Sequence, residues 1–136
     1  MDMRRNRDLR VIIMMFLITT FMGCLVKMNT VETCVLSNLK YIDKAELEKA
    51  KQPERFDAGR EIYASVYFIE SPLGMEYNSK WFLNDKEIKN ETKAMTANKH
   101  GIINFSLEAE KVIAGKIRFE IRHRDEMIYS KEVFVR

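Results

Sequence analysis

The sequence predicts an all-β domain, an antiparallel β-sandwich of six or seven short strands, preceded by an N-terminal hydrophobic signal helix. Three observations predict it. From Arg60 onward apolar residues recur at every second position, the period of a strand with one buried face. Turn signals built on Pro, Gly, Asn and Asp separate these runs. Residues 11–22 form an uncharged apolar stretch behind an arginine-rich start, unlike anything downstream.

The first ten residues carry Arg4, Arg5, Arg7 and Arg10 against Asp2 and Asp8. Twelve uncharged residues follow at 11–22, and sixteen if the run is continued through Val26 to Lys27. A spanning helix needs about 20 residues, so this length matches the apolar part of a secretory signal. The positive flank holds the N-terminus on the cytoplasmic side. Arg4-Arg5 is not a twin-arginine signal, because Asn6-Arg7-Asp8 lacks the apolar residues expected there.

Phe21-Met22-Gly23-Cys24 resembles the bacterial lipobox, in which a small residue precedes a cysteine that becomes the acylated N-terminus. Gly23 and Cys24 carry the likeness, while Phe21 stands where leucine is usual. The resemblance implies lipid attachment at Cys24 and an extracytoplasmic, membrane-anchored chain, since several acyl chains on one cysteine hold a protein firmly. An uncleaved signal anchor with an incidental Gly-Cys pair is the other reading of the same residues. The expected organisation is a signal segment at 1–23, a tether at 24–30 and a sandwich domain at 31–136. Within that domain, 37–58 is a surface loop or short helix.

The strands follow in order. Residues 31–36 alternate, with Val31, Thr33 and Val35 on one face and Cys34 on the other. Residues 43–51 hold helix formers with Asp43 available as N-cap, and Pro53 stops them. Residues 61–70 put Ile62, Ala64, Val66 and Phe68 on one face, and Ser71-Pro72-Leu73-Gly74 breaks the strand. Tyr63, Tyr67 and Ile69 make the other face apolar too; it reads either as an exposed aromatic surface suited to protein or glycan binding or as a face covered by the 37–58 segment, and the second is expected. Residues 75–83 align Met75, Tyr77, Ser79, Trp81 and Leu83, and Asn84-Asp85-Lys86 turns the chain. Ile88 begins a return, residues 93–101 read as polar and irregular, and 102–108 place Ile103, Phe105 and Leu107 inward. After the Ala114-Gly115 turn, 116–124 alternate without exception, with Ile117, Phe119, Ile121 and His123 inward. Asp125-Glu126 makes a hairpin tip, and 128–135 close the sheet. Trp81 at the centre of its strand is the position that a buried tryptophan takes in immunoglobulin-like sandwiches. With Phe105 and Phe119 it forms the expected core. The inter-sheet cysteine pair of such domains is missing, because Cys24 and Cys34 both precede the later strands.

Further residues then resemble a known module. Phe56, the run Ile62-Tyr63-Ala64-Ser65-Val66-Tyr67-Phe68, Pro72-Leu73-Gly74 and Lys80-Trp81-Phe82 are similar to a module of small bacterial envelope lipoproteins with an immunoglobulin- or fibronectin-like fold. Gly115-Lys116-Ile117-Arg118-Phe119-Glu120-Ile121 and Phe134-Val135 fit its late strands, and Cys34 its early cysteine. The likeness spans 31–136. It implies a fold and no activity.

Charge and motifs exclude several classes. Of 23 basic and 20 acidic side chains, four and two fall in the leader, so the rest is nearly neutral and no nucleic-acid partner is expected. His100 and His123 stand too far apart, without neighbouring ligands, for a metal site. Ser65, Ser79 and Ser106 lack Gly-x-Ser-x-Gly surroundings, and five glycines form no phosphate-binding loop. No enzyme activity and no cofactor are expected. Cys34 is expected buried and inert if Cys24 carries lipid; otherwise the two could form a disulfide. One outward stripe stands out, Lys116, Arg118, Arg122 and Arg124, interrupted by Glu120. It reads either as a patch for anionic lipid headgroups or wall polymers, or as a solvated face. The expected role is therefore an exported, lipid-anchored binding module, its partners the membrane and an envelope protein or wall polymer. The alternative is an accessory subunit held by an uncleaved N-terminal helix.

Overall fold

The computed structural model describes residues 28–136, so the expected signal segment at 1–23, its helix and Cys24 lie outside the described residues. Eight strands and one short helix follow one another: β1 (Thr30–Ser37), α1 (Lys44–Lys49), β2 (Arg55–Phe56), β3 (Ile62–Ser71), β4 (Glu76–Leu83), β5 (Lys86–Ala94), β6 (Lys99–Leu107), β7 (Gly115–His123) and β8 (Glu126–Val135). They form a three-stranded sheet, β1-β3-β6, facing a five-stranded one, β2-β8-β7-β4-β5.

The inward alternation of β3, β4, β6 and β7 builds the core. Ile62, Ala64, Val66 and Phe68 meet Tyr77, Trp81, Phe105, Ile117, Phe119 and Ile121, all buried. A run of three aromatics links the sheets, with Trp81 and Phe119 on the five-stranded sheet and Phe105 on the three-stranded one. The Trp81 ring lies 4.6 Å from Phe119, and Phe119 lies 5.8 Å from Phe105.

The other face of β3 is covered by residues 38–52. Asp43 caps α1 by accepting from the Ala45 N–H at 3.0 Å. Most of α1 is solvated, but Leu47 is buried against Val35 and Tyr67. The chain entering the helix is bonded to the sheet: the Tyr41 N–H donates to Ser65 Oγ at 3.1 Å, and Asn104 donates to the Tyr41 carbonyl at 2.9 Å.

Four expectations need correction. The strands number eight, because the two-residue β2 adds a short parallel pairing to the end of β8 in an otherwise antiparallel sandwich. In β1, a register shift between Val31 and Thr33 turns Val31 to the face of Cys34 and Leu36, opposite Val35. Residues 37–58 hold the short helix α1 and bury Leu47 and Phe56. Residues 93–101 are largely strand, because β5 runs to Ala94 and β6 starts at Lys99. The β7–β8 hairpin turns on Arg124 and Asp125, both at positive φ, while Glu126 already belongs to β8.

Polar side chains close the sheet edges. Lys89 and Lys93 on β5 point between the sheets and donate to the Ser106 and Asn104 carbonyls of edge strand β6. The Gln52 amide pairs with the edge of β1 as a strand would. It accepts from the Leu36 N–H at 2.9 Å and donates to the Leu36 carbonyl at 2.7 Å. Inward charges and a side-chain cap of this kind discourage further strand addition.

Cys34 is a free, buried thiol, and burial pushes its pKa up to about 12. The unfolded chain's thiol ionises near 9.0, so the stability contributed by the neutral buried form is complete below that pH and is lost as pH rises towards 12. Alkylation at pH 8 is expected to proceed only as fast as the domain opens. A rapid labelling phase in native buffer would refute this placement.

Candidate functional site

The outward face of β7 carries the basic stripe, and Glu120 divides it in two. Glu120 is the one buried carboxylate among the described residues, and it accepts from Arg118 Nε at 3.1 Å and Arg122 Nη2 at 3.2 Å. At one end of the strand, Arg118 also donates to Asp85 at 2.6 Å and lies 4.3 Å from the centroid of the Phe82 ring. Lys116 stands 3.5 Å from Asp85 and 3.9 Å from Glu132. The Arg118 guanidinium, with Lys116 beside it, holds the Asp85 carboxyl below its ordinary value. Gly115 permits this corner, since a Cβ there would stand 2.8 Å from the Asn84 side chain. Lys116 and Arg118 are thus fixed in ion pairs.

At the other end, Arg122 and Arg124 flank a cleft of about 570 Å³ between the β3–β4 and β7–β8 turns, with Leu73, Met75, Asn78 and His123 also lining it. Arg122 Nη1 donates to the Asp125 carbonyl at 3.3 Å, and its buried Nε meets no partner among the described residues. Glu120, bonded to both Arg118 and Arg122, thus separates a paired end, Lys116 and Arg118, from a cleft end, Arg122 and Arg124, with midpoints about 20 Å apart at a strand rise of 3.3 Å per residue.

Below the cleft lies a polar chain that sequence reasoning missed. Ser71 Oγ and Tyr77 OH are 2.6 Å apart, Tyr77 OH donates to Asn29 Oδ1 at 3.1 Å, and Asn29 Nδ2 lies 3.3 Å from His123 Nε2. His123 Nδ1 lies 3.3 Å from the Glu76 carbonyl. The directions are consistent when Nδ1 carries the proton and Nε2 accepts from Asn29. The Tyr77 ring stacks on Phe68 at 4.0 Å, and burial pushes its hydroxyl pKa up. Asn29 is left-handed at φ 54°, and its N–H donates to the Glu70 carbonyl at 2.9 Å. No local signal marks such a network, because its members lie up to 94 residues apart.

A second groove, of about 590 Å³, runs beside β2 and the end of β8, where Phe134 is 58% exposed. The candidate serines are engaged elsewhere: Ser65 Oγ donates to Asn104 at 2.6 Å and Ser79 Oγ to the Glu91 carbonyl at 3.1 Å. Among the described residues, no three His, Cys, Asp or Glu side chains converge as metal ligands, and no helix is long and apolar enough to cross a membrane.

No protein-family model matches the chain, and no curated protein matches it. Its fold is similar to that of an immunoglobulin-like protein from Pseudomonas aeruginosa, at 10% identity and a TM-score of 0.53, over 84% of this chain and 100% of that one. A Niemann-Pick type C2 protein from the Japanese carpenter ant is similar at 15% identity and a TM-score of 0.49, over 83% of this chain and 96% of that one. A CARDB domain from Pyrococcus furiosus is similar at 11% identity and a TM-score of 0.44, over 81% and 97% of the two chains. The first likeness shows an immunoglobulin-like β fold and nothing about activity.

Proposed function

We propose that this chain is an exported, lipid-anchored, non-enzymatic interaction module of a bacterial cell envelope, held to the membrane through Cys24. The observation that carries this reading is the sequence of the leader. A basic start and an apolar run of secretory length end at Gly23-Cys24, and β1 begins six residues later. The module would thus leave the membrane on a short lead. A binding role is supported by the engagement of Ser65 and Ser79 with acceptors other than histidine. Two open clefts, one at each end of the sandwich, offer contact surfaces for an envelope protein or wall polymer.

The uncleaved anchor is a second reading, favoured by the sixteen uncharged residues from 11 to 26. Mass spectrometry of the mature N-terminus separates the two. Diacylglyceryl-Cys24 is expected; an intact Met1 or Asp2 supports the anchored accessory subunit instead. Cys24→Ala is expected to deplete the protein from the membrane fraction. An unchanged membrane fraction would count against lipidation.

A further inference from the structure

We infer that the end of the sandwich formed by Asn29, the β3–β4 turn and the β7–β8 turn rests on the headgroup layer of the bilayer that holds Cys24. The inference builds on the lipid-anchor reading above and adds an orientation to it. Four residues separate Cys24 from Asn29. Even fully extended, the five steps between them reach roughly 18 Å at about 3.6 Å per residue. This end of the domain therefore cannot stand far from the lipid.

Nor can the domain swing freely on Asn29. Its N–H is held by the Glu70 carbonyl at the end of β3, and its side chain is held between Tyr77 and His123. The same contacts fix the two neighbouring turns, so the chain enters a rigid end plate. What that plate presents suits an interface. Leu73, at the tip of the β3–β4 turn, is 63% exposed, and Met28 is 57% exposed. Arg124 lines the cleft beside Leu73 in the β7–β8 turn. Apolar tips beside a cation favour the boundary between headgroups and acyl chains. Glu70, Glu76 and Asp125 share this end, so the contact depends on the apolar tips and not on net charge. The tether supplies the rest, because it turns docking into an intramolecular event that a weak contact can sustain. In this pose β8 runs away from the membrane, and the groove beside Phe134 faces outward.

The test uses the full mature protein, reconstituted in vesicles of phosphatidylethanolamine and phosphatidylglycerol. An environment-sensitive fluorophore is placed at Leu73→Cys, or at Ile113→Cys in the chain before β7, where Ile113 is 52% exposed. Cys34 is buried and leaves the label selective. Brominated lipids are expected to quench the probe at 73 and to leave the probe at 113 unaffected. Leu73→Asp, with the probe moved to Met28→Cys, is expected to lose most of the quenching while Trp81 emission stays native. No quenching at 73, or equal quenching at both ends, overturns the inference. Mass spectrometry of the same sample keeps the two readings apart. Lipidated Cys24 with an unquenched probe at 73 sinks the orientation alone. A chain with no membrane anchor sinks both.

Discussion

Trp81→Ala is expected to cost about 3–5 kcal/mol, the range for large buried aromatics, and to leave the domain largely unfolded at physiological temperature. The indole is fully buried on β4, between β5 and β7, and packs on Phe119 from inside the five-stranded sheet. No disulfide spans the sheets; Trp81 supports Phe119, and Phe119 meets Phe105 of the opposite sheet. Truncation removes the largest ring of the three, the one packed on Phe119, and leaves a cavity that two rigid sheets cannot close. Trp81→Phe is expected to cost less, for a specific reason. The indole N–H is buried without a hydrogen-bond partner among the described residues, and phenylalanine removes that group along with part of the volume. Urea denaturation followed by circular dichroism measures both variants. A midpoint for Trp81→Ala within error of the parent would show that this ring does not organise the core.

Leu47→Ala is expected to cost about 2–3 kcal/mol, near the lower end for buried leucine, and its effect is expected to stay local. Leu47 is the single buried residue of α1, inserted between Val35 on β1 and Tyr67 on β3. Without it, a six-residue helix has no other buried side chain to hold it to the sheet. The flanking chain is still tied by Gln52 to Leu36 and by Asn104 to Tyr41, so the segment should loosen without detaching. Hydrogen exchange is expected to rise across 43–50 while β7 keeps its protection. Uniform loss of protection, or none, would refute the view that this segment is a separately anchored cover for Tyr67.

Much of the fold was legible because a strand with one wet face repeats every two residues. The run 116–124 shows it most clearly: every odd residue from Ile117 to Ile121 is buried, and the even ones include the stripe cations. The Asp43 cap was legible for a similar reason, since capping depends on residues two or three positions apart. The extension of β5 and β6 through polar residues was not. Lys89, Glu91 and Lys93 occupy inward positions, which a binary pattern reads as loop. They are stable there because Lys89 and Lys93 reach carbonyls of β6 across the open side of the sandwich.

The candidate site divides along the same line. Alternation alone put Lys116, Arg118, Arg122 and Arg124 in one row. Asp85, thirty-three residues from Arg118, and the buried Glu120 decide which of them are engaged in ion pairs. Asn29 joins His123 across a gap of 94 residues.

The chain by itself determined its strand-rich composition and the inward side of its longest strands, because each of these is written in residues a few positions apart. Only the tertiary structure decided the bulge in β1, the short parallel β2, the capping of the sheet edges and the splitting of the basic row. Those depend on which distant groups meet. A buried donor or charge is stable only where the fold brings its partner, and residue spacing carries no record of that meeting.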